Sequence, residues 1–142
     1  MTKIKQFLTT GVLGPLSIGQ ARDAAVANLG NADATTVADE HFQIETLKFG
    51  SLEVAISSGV IRLIAVYFCD ADVQVPPTVA FDDFFKRSTT QADVELWLEK
   101  QGVQVSVLDE LTFGNQVCLV STAGVHLLFV DNVLDSLQLA SK

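Results

Sequence analysis

The side chains best suited to bond-making chemistry are two cysteines and two histidines in a chain of 142 residues. Cys69 follows an apolar run, and it is a candidate nucleophile if His41 or His126 folds beside it. A cysteine at a strand end is more often a small buried filler, and Cys118 lies inside an apolar run typical of a core. His126 also lies in such a run, where a half-buried histidine is expected. We therefore predict that the protein is not an enzyme.

Four aspartates are spaced like fragments of a calcium site: Asp70, Asp72, Asp82 and Asp83. A calcium-binding loop of the EF-hand type needs about twelve residues closed by a glutamate, and the sequence contains none. Two cysteines also fall short of a four-thiolate zinc site. Motifs for phosphate loops, dinucleotide binding and serine hydrolases are missing as well. We expect neither a metal ion nor a cofactor.

The composition is that of a folded acidic protein. Apolar residues make up 49% of the chain, and 17 acidic against 9 basic residues give a formal net charge of −8. This length suits a single domain over residues 1–142. Proteins that bind nucleic acid neutralise phosphates with Lys and Arg, so the excess of acid argues against direct nucleic-acid binding. It favours a basic protein partner, which acidic groups attract.

The N-terminal segment and the apolar runs bear on location. No run reaches the roughly 20 apolar residues that a membrane helix needs, so we expect no membrane insertion. Lys3 and Lys5 precede apolar residues, as in a signal peptide, but polar residues, glycines and Pro15 interrupt the segment. We expect a cytoplasmic protein with reduced thiols.

Internal self-similarity predicts a duplicated unit. Three landmarks recur in order, at offsets of 64, 65 and 72 residues: Lys48-Phe49-Gly50 with Thr112-Phe113-Gly114, Ser58-Gly59-Val60 with Ala123-Gly124-Val125, and Gly30 with Gly102. We place repeat 1 at about 13–69, a linker at 70–88 and repeat 2 at about 89–140. The differing offsets put extra residues of the first copy into the polar stretch 31–41, which we predict to be a loop.

Each unit is predicted to begin with a helix. Ser17 and Gln20 have the spacing of a capping box, which predicts a helix over Ile18–Leu29 that ends at Gly30. The second helix is predicted from Thr90 to Gly102. Its apolar residues Val94, Trp97 and Leu98 share one face of the helix. Two glutamates, Glu95 and Glu99, lie together on another face.

Alternating apolar residues predict antiparallel strands after each helix. In the first unit they lie at 52–56 and 60–68, joined by a hairpin at Ser58-Gly59, and in the second at 103–107, 117–120 and 125–130, with a closing edge strand at 134–139. The runs 61–68 and 127–130 are apolar on both faces, which predicts central strands. The expected fold is α+β: tandem duplicated helix-plus-antiparallel-hairpin units form one curved antiparallel sheet of six to eight strands, with helices packed on one face.

The linker carries an aromatic cluster with two open interpretations. Phe81, Phe84 and Phe85 could form a short helix or turn that plugs the core, or an exposed anchor for a partner.

The motifs resemble a family of small, largely uncharacterised bacterial proteins. The matching segments span most of the chain: Leu13-Gly14-Pro15-Leu16, Gly19, Arg22-Asp23, Leu29-Gly30, Asn31-Ala32-Asp33 and Leu47–Glu53 in the first half, and Asp93-Val94-Glu95, Trp97-Leu98, Gly102 and Ser136-Leu137 in the second. The unit of that family is similar to that of the SmpA-type outer-membrane assembly lipoproteins and of the β-lactamase-inhibitor protein, which contains two such units. The resemblance implies an immunity protein for a secreted bacterial toxin.

The sequence therefore predicts a non-enzymatic binding module, a cytoplasmic immunity or inhibitor protein that blocks a basic toxin such as a nuclease by covering it with an acidic surface. The candidate partner-binding residues cluster near the second helix and its flanks: Asp82, Asp83, Glu95, Glu99, Asp109 and Glu110. The alternative is a small-molecule or lipid-binding protein that uses a pocket lined by Phe and Leu on the concave sheet face. We expect a monomer or a homodimer, with a dimer formed through a sheet edge at either terminus.

Overall fold

A computed structural model describes residues 2–39, 44–69, 73–81 and 84–141. Over these residues the chain forms an α+β fold with three α-helices and one open eight-stranded antiparallel sheet. The helices are α1 (Lys3–Thr10), α2 (Arg22–Leu29) and α3 (Gln91–Gln101). The strands are β1 (Ala34–Asp39), β2 (Ile44–Phe49), β3 (Leu52–Ser57), β4 (Val60–Tyr67), β5 (Val105–Val107), β6 (Gln116–Ser121), β7 (His126–Val130) and β8 (Val133–Ala140). Short 3₁₀ turns span Pro77–Val79 and Asp109–Leu111.

The strand order is β1-β2-β3-β4-β8-β7-β6-β5. After α1, each half contributes one helix followed by four antiparallel strands, and β4 pairs with β8 to join the halves, as the predicted fold class requires. The prediction of an edge strand at 134–139 is wrong, because β8 lies at the centre of the sheet. Even Ser136 of β8 is fully buried between the neighbouring strands. The edges are β1 and β5 instead.

The two halves repeat in detail at the start of each helix. Ala21 bridges to Val60, the first residue of β4, and Thr90 bridges to Val133, the first residue of β8. The next backbone N–H in each case donates to the turn before that strand, at 2.9 Å in the first half and 2.8 Å in the second. Strands β4 and β8 are therefore equivalent at an offset of 73 residues.

This offset corrects the sequence alignment of the repeats. The turn Ser58-Gly59 corresponds to Asp131-Asn132, and all four residues have positive φ. Both hairpins also carry a register shift at the same place, near Ile56 in one and near Phe129 in the other. The landmarks at offsets of 64 and 65 matched the wrong turns, because Asn132 occupies the position that Gly59 holds and Asn tolerates positive φ. The offset of 72 between the helix-ending glycines agrees with the structure.

Two predictions for the first unit, the start of its helix and the loop after it, are wrong. The helix begins at Arg22, because Gly19 donates its N–H to the Ile61 carbonyl (2.8 Å) and Gln20 accepts from the Ile61 N–H (2.9 Å). These hydrogen bonds tie the segment before α2 to β4 and prevent it from continuing the helix. The stretch predicted as a loop contains β1, an edge strand whose residues from Ala34 to Val37 are all exposed.

The second helix matches its prediction. The Thr90 hydroxyl accepts from the Asp93 N–H (3.2 Å), and Gly102 ends the helix in the left-handed conformation. Val94 and Leu98 are buried, and Trp97 packs partly buried against the core.

The core lies between the helices and one face of the sheet. In β3 the buried residues are Leu52, Val54 and Ile56, which alternate with half-buried residues on the other face. Helix α1 was not predicted, and it buries Ile4, Phe7 and Leu8 at helical spacing. The helix ends at Gly11, against Leu139 of the central strand β8. The helices therefore cover the middle of the sheet as well as each half.

The aromatic residues of the linker plug the core, which was the first of the two interpretations. Phe85 is buried, and its ring centroid lies 4.8 Å from that of Trp97 and 6.3 Å from that of Phe68. Phe84 stacks on Trp97 at 6.1 Å, and Phe81 lies 5.8 Å from Phe68. The cluster fixes one flank of α3.

The pseudo-symmetry predicts the effect of exchanging the two helix caps. Ala21 occupies the position of Thr90 but gives α2 no side-chain hydrogen bond. We expect Ala21→Thr to raise the free energy of unfolding by about 0.5–1 kcal/mol, and Thr90→Ala to lower it by about 1 kcal/mol. Chemical denaturation of both variants measures these changes. A loss of stability in Ala21→Thr would show that the two caps are not equivalent.

The turn between β2 and β3 predicts a second effect on stability. Gly50 has a φ of 65°, and a Cβ there would meet the carbonyl of Gln74, whose oxygen also accepts from the Ser51 N–H at 2.6 Å. We expect Gly50→Ala to cost about 2 kcal/mol or more, because the linker must move. Gly114 is a matched control with a φ of 59° and open space around it, so Gly114→Ala should cost about 1 kcal/mol. Equal costs in thermal unfolding would contradict the role of the linker.

Candidate functional site

The described acidic candidates lie on two elements next to β5. Glu95 and Glu99 are on α3, and Asp109 and Glu110 are on the 3₁₀ turn that follows β5. All four side chains are exposed. Asp82 and Asp83, the remaining candidates, lie outside the described residues.

The orientation of α3 turns its two glutamates towards β5. At 3.6 residues per turn, Glu95 and Glu99 lie on one flank of the buried stripe, and Trp97 lies on the other. Because Trp97 is held against the linker phenylalanines, the glutamate flank faces away from the linker. It forms a wall of a groove of about 470 Å³, whose other lining residues include Leu98 and Val105.

A side-chain hydroxyl ends β5 and holds the acidic turn beside it. The Leu108 N–H donates to the Cys118 carbonyl at 2.9 Å, as in the β5–β6 ladder. The Thr112 hydroxyl then donates to the Leu108 carbonyl (2.9 Å) and accepts from the Cys118 N–H (3.0 Å). It replaces the second hydrogen bond of that pair and closes the loop that carries Asp109 and Glu110.

Three apolar side chains are exposed around the same strand. Val107 is 54% exposed, Leu111 37% and Phe113 62%. Their exposure was not predicted, since the alternation of Val103, Val105 and Val107 is typical of one buried face. Exposure increases along these valines as the strand leaves the cover of α3. We call this region the β5 edge surface: Glu95, Leu98, Glu99, residues 103–107, Asp109, Glu110, Leu111 and Phe113.

No described cation neutralises the carboxylates of the β5 edge surface. Within the ranges that the structure describes, the ion pairs are those of Arg22 with Glu45 (2.6 Å) and with Asp23 (3.6 Å). The hydrogen bond and charge of Glu45 raise the pKa of Arg22. Glu95 accepts a long hydrogen bond of 3.4 Å from the neutral amide of Gln91. The surface therefore presents uncompensated negative charge beside apolar side chains.

The candidate nucleophile and base do not meet. The Phe68 N–H donates to Asp135 of β8, which places the neighbouring Cys69 near that end of the strand, whereas His126 pairs with Gln138. Three residues of β8, roughly 10 Å, separate these two positions. His41 lies outside the described residues.

Metal ligands do not cluster in the described part of the chain. There, no three His, Cys, Asp or Glu side chains are placed to hold a metal ion. Asp70 and Asp72, two of the candidate calcium ligands, lie outside the described residues, as do Asp82 and Asp83.

The sheet face opposite the helices holds a shallow hollow of about 210 Å³. Its lining includes Lys48, Glu53, Tyr67 and Cys69. Burial raises the pKa of the Tyr67 hydroxyl, and the charges of Glu53, Asp135 and Cys69 raise it further. This lining contains neither Phe nor Leu, whereas the lipid-carrier alternative expects a pocket lined by both.

None of the described helices is both long and apolar enough to cross a bilayer. No protein-family model matches the chain, and neither a curated protein nor a solved structure matches it significantly.

The two thiols should differ sharply in reactivity. Cys69 is exposed, whereas Cys118 is fully buried and burial raises the pKa of its thiol, so little thiolate forms there. With Ellman's reagent at mildly alkaline pH, we expect one thiol to react quickly and the second only after the protein unfolds. Cys69→Ser should remove the fast phase. A fast reaction of that variant would show that Cys118 is accessible.

Proposed function

We propose that this protein is a binding module that carries out no bond chemistry and inhibits a basic protein partner, as an immunity protein inhibits a bacterial toxin. One observation carries the proposal: the β5 edge surface combines three exposed apolar side chains with four carboxylates that no described cation neutralises. The carboxylates that attract a basic partner and the apolar side chains that exclude water on contact therefore lie on the same surface.

The composition of this surface suits a protein interface. Binding energy at interfaces is concentrated in a few apolar and aromatic residues, and a polar rim surrounds them. Val107, Leu111 and Phe113 supply exposed apolar side chains at and beyond the end of β5. The acidic groups of the same surface come from α3 and from the 3₁₀ turn. Charged groups of this kind mainly increase the rate of association and select the partner.

A nuclease toxin is a fitting target for such a surface. Its active site must hold phosphates with Lys and Arg, so it offers the positive charge that the carboxylates attract. Occupation of that cleft would exclude the nucleic acid by steric overlap, with no need for catalytic groups in the inhibitor. The resemblance to toxin immunity proteins supports the same function.

The fixed position of the two elements that carry the surface also favours binding. The groove wall is carried by α3, which the aromatic cluster anchors through Trp97, and β5 is hydrogen-bonded to β6. Side chains on fixed elements lose less conformational freedom when a partner binds. This arrangement supports a preformed interface.

The proposal is tested with the proteins encoded beside this chain in its genome, each purified alone. We expect one basic protein among them to bind the full chain, with an affinity that falls at least about tenfold between 50 and 200 mM NaCl in calorimetric titration. Co-expression with this chain should also remove the toxicity of that protein in growing cells. A set of neighbours in which none binds would refute the proposal.

Charge-neutral variants locate the contribution of the acidic residues. The double substitution Glu95→Gln with Glu99→Gln should slow association at least about tenfold. Asp23→Asn with Glu53→Gln is a control that removes the same charge away from the β5 edge surface, and it should leave the rate within about threefold. Equal effects of the two pairs would assign the attraction to net charge alone.

A further inference from the structure

We propose that the basic partner binds by adding an extended segment to the open edge of β5, as a ninth strand of the sheet. This inference rests on the proposed function and specifies its mode of recognition. The segment would lie along the groove between α3 and β5 and carry alternating basic and apolar residues.

The backbone of β5 presents free hydrogen-bonding groups on its outer side. In an antiparallel ladder, hydrogen-bonded and non-hydrogen-bonded pairs alternate along the strand. The Leu108 N–H donates to the Cys118 carbonyl. Ser106, two residues earlier, therefore also directs its backbone N–H and C=O towards β6. Val105 and Val107 therefore turn their N–H and C=O groups away from β6. Among the described strands, none pairs with that side of β5.

The groove supplies contacts for the side chains of an added strand. Side chains alternate between the two faces of a sheet, so every second residue of the segment would point into the groove. Leu98 and Val103 line it with apolar surface, and Glu95 and Glu99 add carboxylates. A lysine or arginine fits this combination, because its aliphatic stem packs on apolar surface while its charged end reaches a carboxylate.

The same charges argue against a second copy of this chain as the occupant. Pairing of two β5 strands would bring the carboxylates of both copies together, and like charges at an interface are costly. At the opposite edge of the sheet, the exposed residues from Ala34 to Val37 are uncharged, and Asp33 and Asp39 lie at the two ends of β1. The two glutamates that line the groove beside β5 therefore favour that edge for a basic segment.

The short length of β5 makes recognition depend on several contributions. Only Val105 and Val107 offer outward backbone groups, so the backbone alone gives few hydrogen bonds. The remaining affinity must come from the glutamates and from the exposed Leu111 and Phe113 beyond the strand end. We therefore expect salt to weaken binding strongly, even though the backbone hydrogen bonds persist.

The probe for this inference is an acetylated and amidated octapeptide of alternating lysine and valine, titrated into the full ¹⁵N-labelled chain. We expect amide shift changes at Val105, Val107 and the glutamate flank of α3. The same peptide with glutamate in place of lysine should cause no change at equal concentration. The same lysine–valine peptide N-methylated at every residue has no backbone N–H to donate from either edge, and it should bind at least about tenfold more weakly.

Two variants of one residue test the strand edge from the side of the protein. Val107→Pro removes an outward N–H without removing a ladder hydrogen bond, and it should weaken peptide binding at least about tenfold. Val107→Thr keeps the N–H and the branched shape, so it should lose much less affinity than Val107→Pro. Should Val107→Pro fail to fold, as judged by its amide spectrum, the N-methylated peptide decides the question.

The outcomes separate this inference from the proposed function. Shifts confined to β1 or to the open sheet face, undiminished binding of the N-methylated peptide, or no binding at about 1 mM would overturn strand addition. A basic neighbour that still bound with strong salt dependence would then uphold the proposed function with another mode of contact. Shifts at β5 that both Val107→Pro and N-methylation abolish would support the ninth strand.

Discussion

The ladder between β4 and β8 holds the two halves of the sheet together. Each half alone would leave its most apolar strand with one unpaired edge, and such an edge is prone to pair with other chains. The pairs Ile64–Leu139 and Val66–Leu137 close this edge and bury all four side chains on the helix-covered face. The contact also determines what stays open, because it places β1 and β5 at the outer edges.

Local sequence signals predicted individual helices and hairpins better than they predicted which strands pair in the sheet. The hairpin at Ser58-Gly59 and the helix from Thr90 to Gly102 follow from residue chemistry that acts within a few positions. The correct alignment of the two repeats did not follow from local chemistry, since Asn132 adopts the backbone conformation that Gly59 adopts in the first copy. The placement of β8 also depends on strands far away in the sequence, which periodicity cannot report.

The candidate site shows the same division. The spacing of Glu95 and Glu99 was enough to place them on one helix flank. The exposure of Val107 was not predictable from alternation, because a valine on the inner face of an edge strand lies inside or outside according to how far α3 extends over it. Leu111 and Phe113 gave no local signal of exposure either. What turns these residues into one surface is the edge position of β5, a property of the whole topology.

The central position of β8 has a consequence for synthesis on the ribosome. Strand β4 emerges about seventy residues before the segment that pairs with its free side. Until then the first half can form its helix and hairpins, but its most apolar strand remains uncovered along one edge. Pairings between strands distant in the sequence slow folding and prolong the lifetime of aggregation-prone intermediates. Binding by holdase chaperones, or rapid translation of the second half, would shorten this exposure and reduce aggregation.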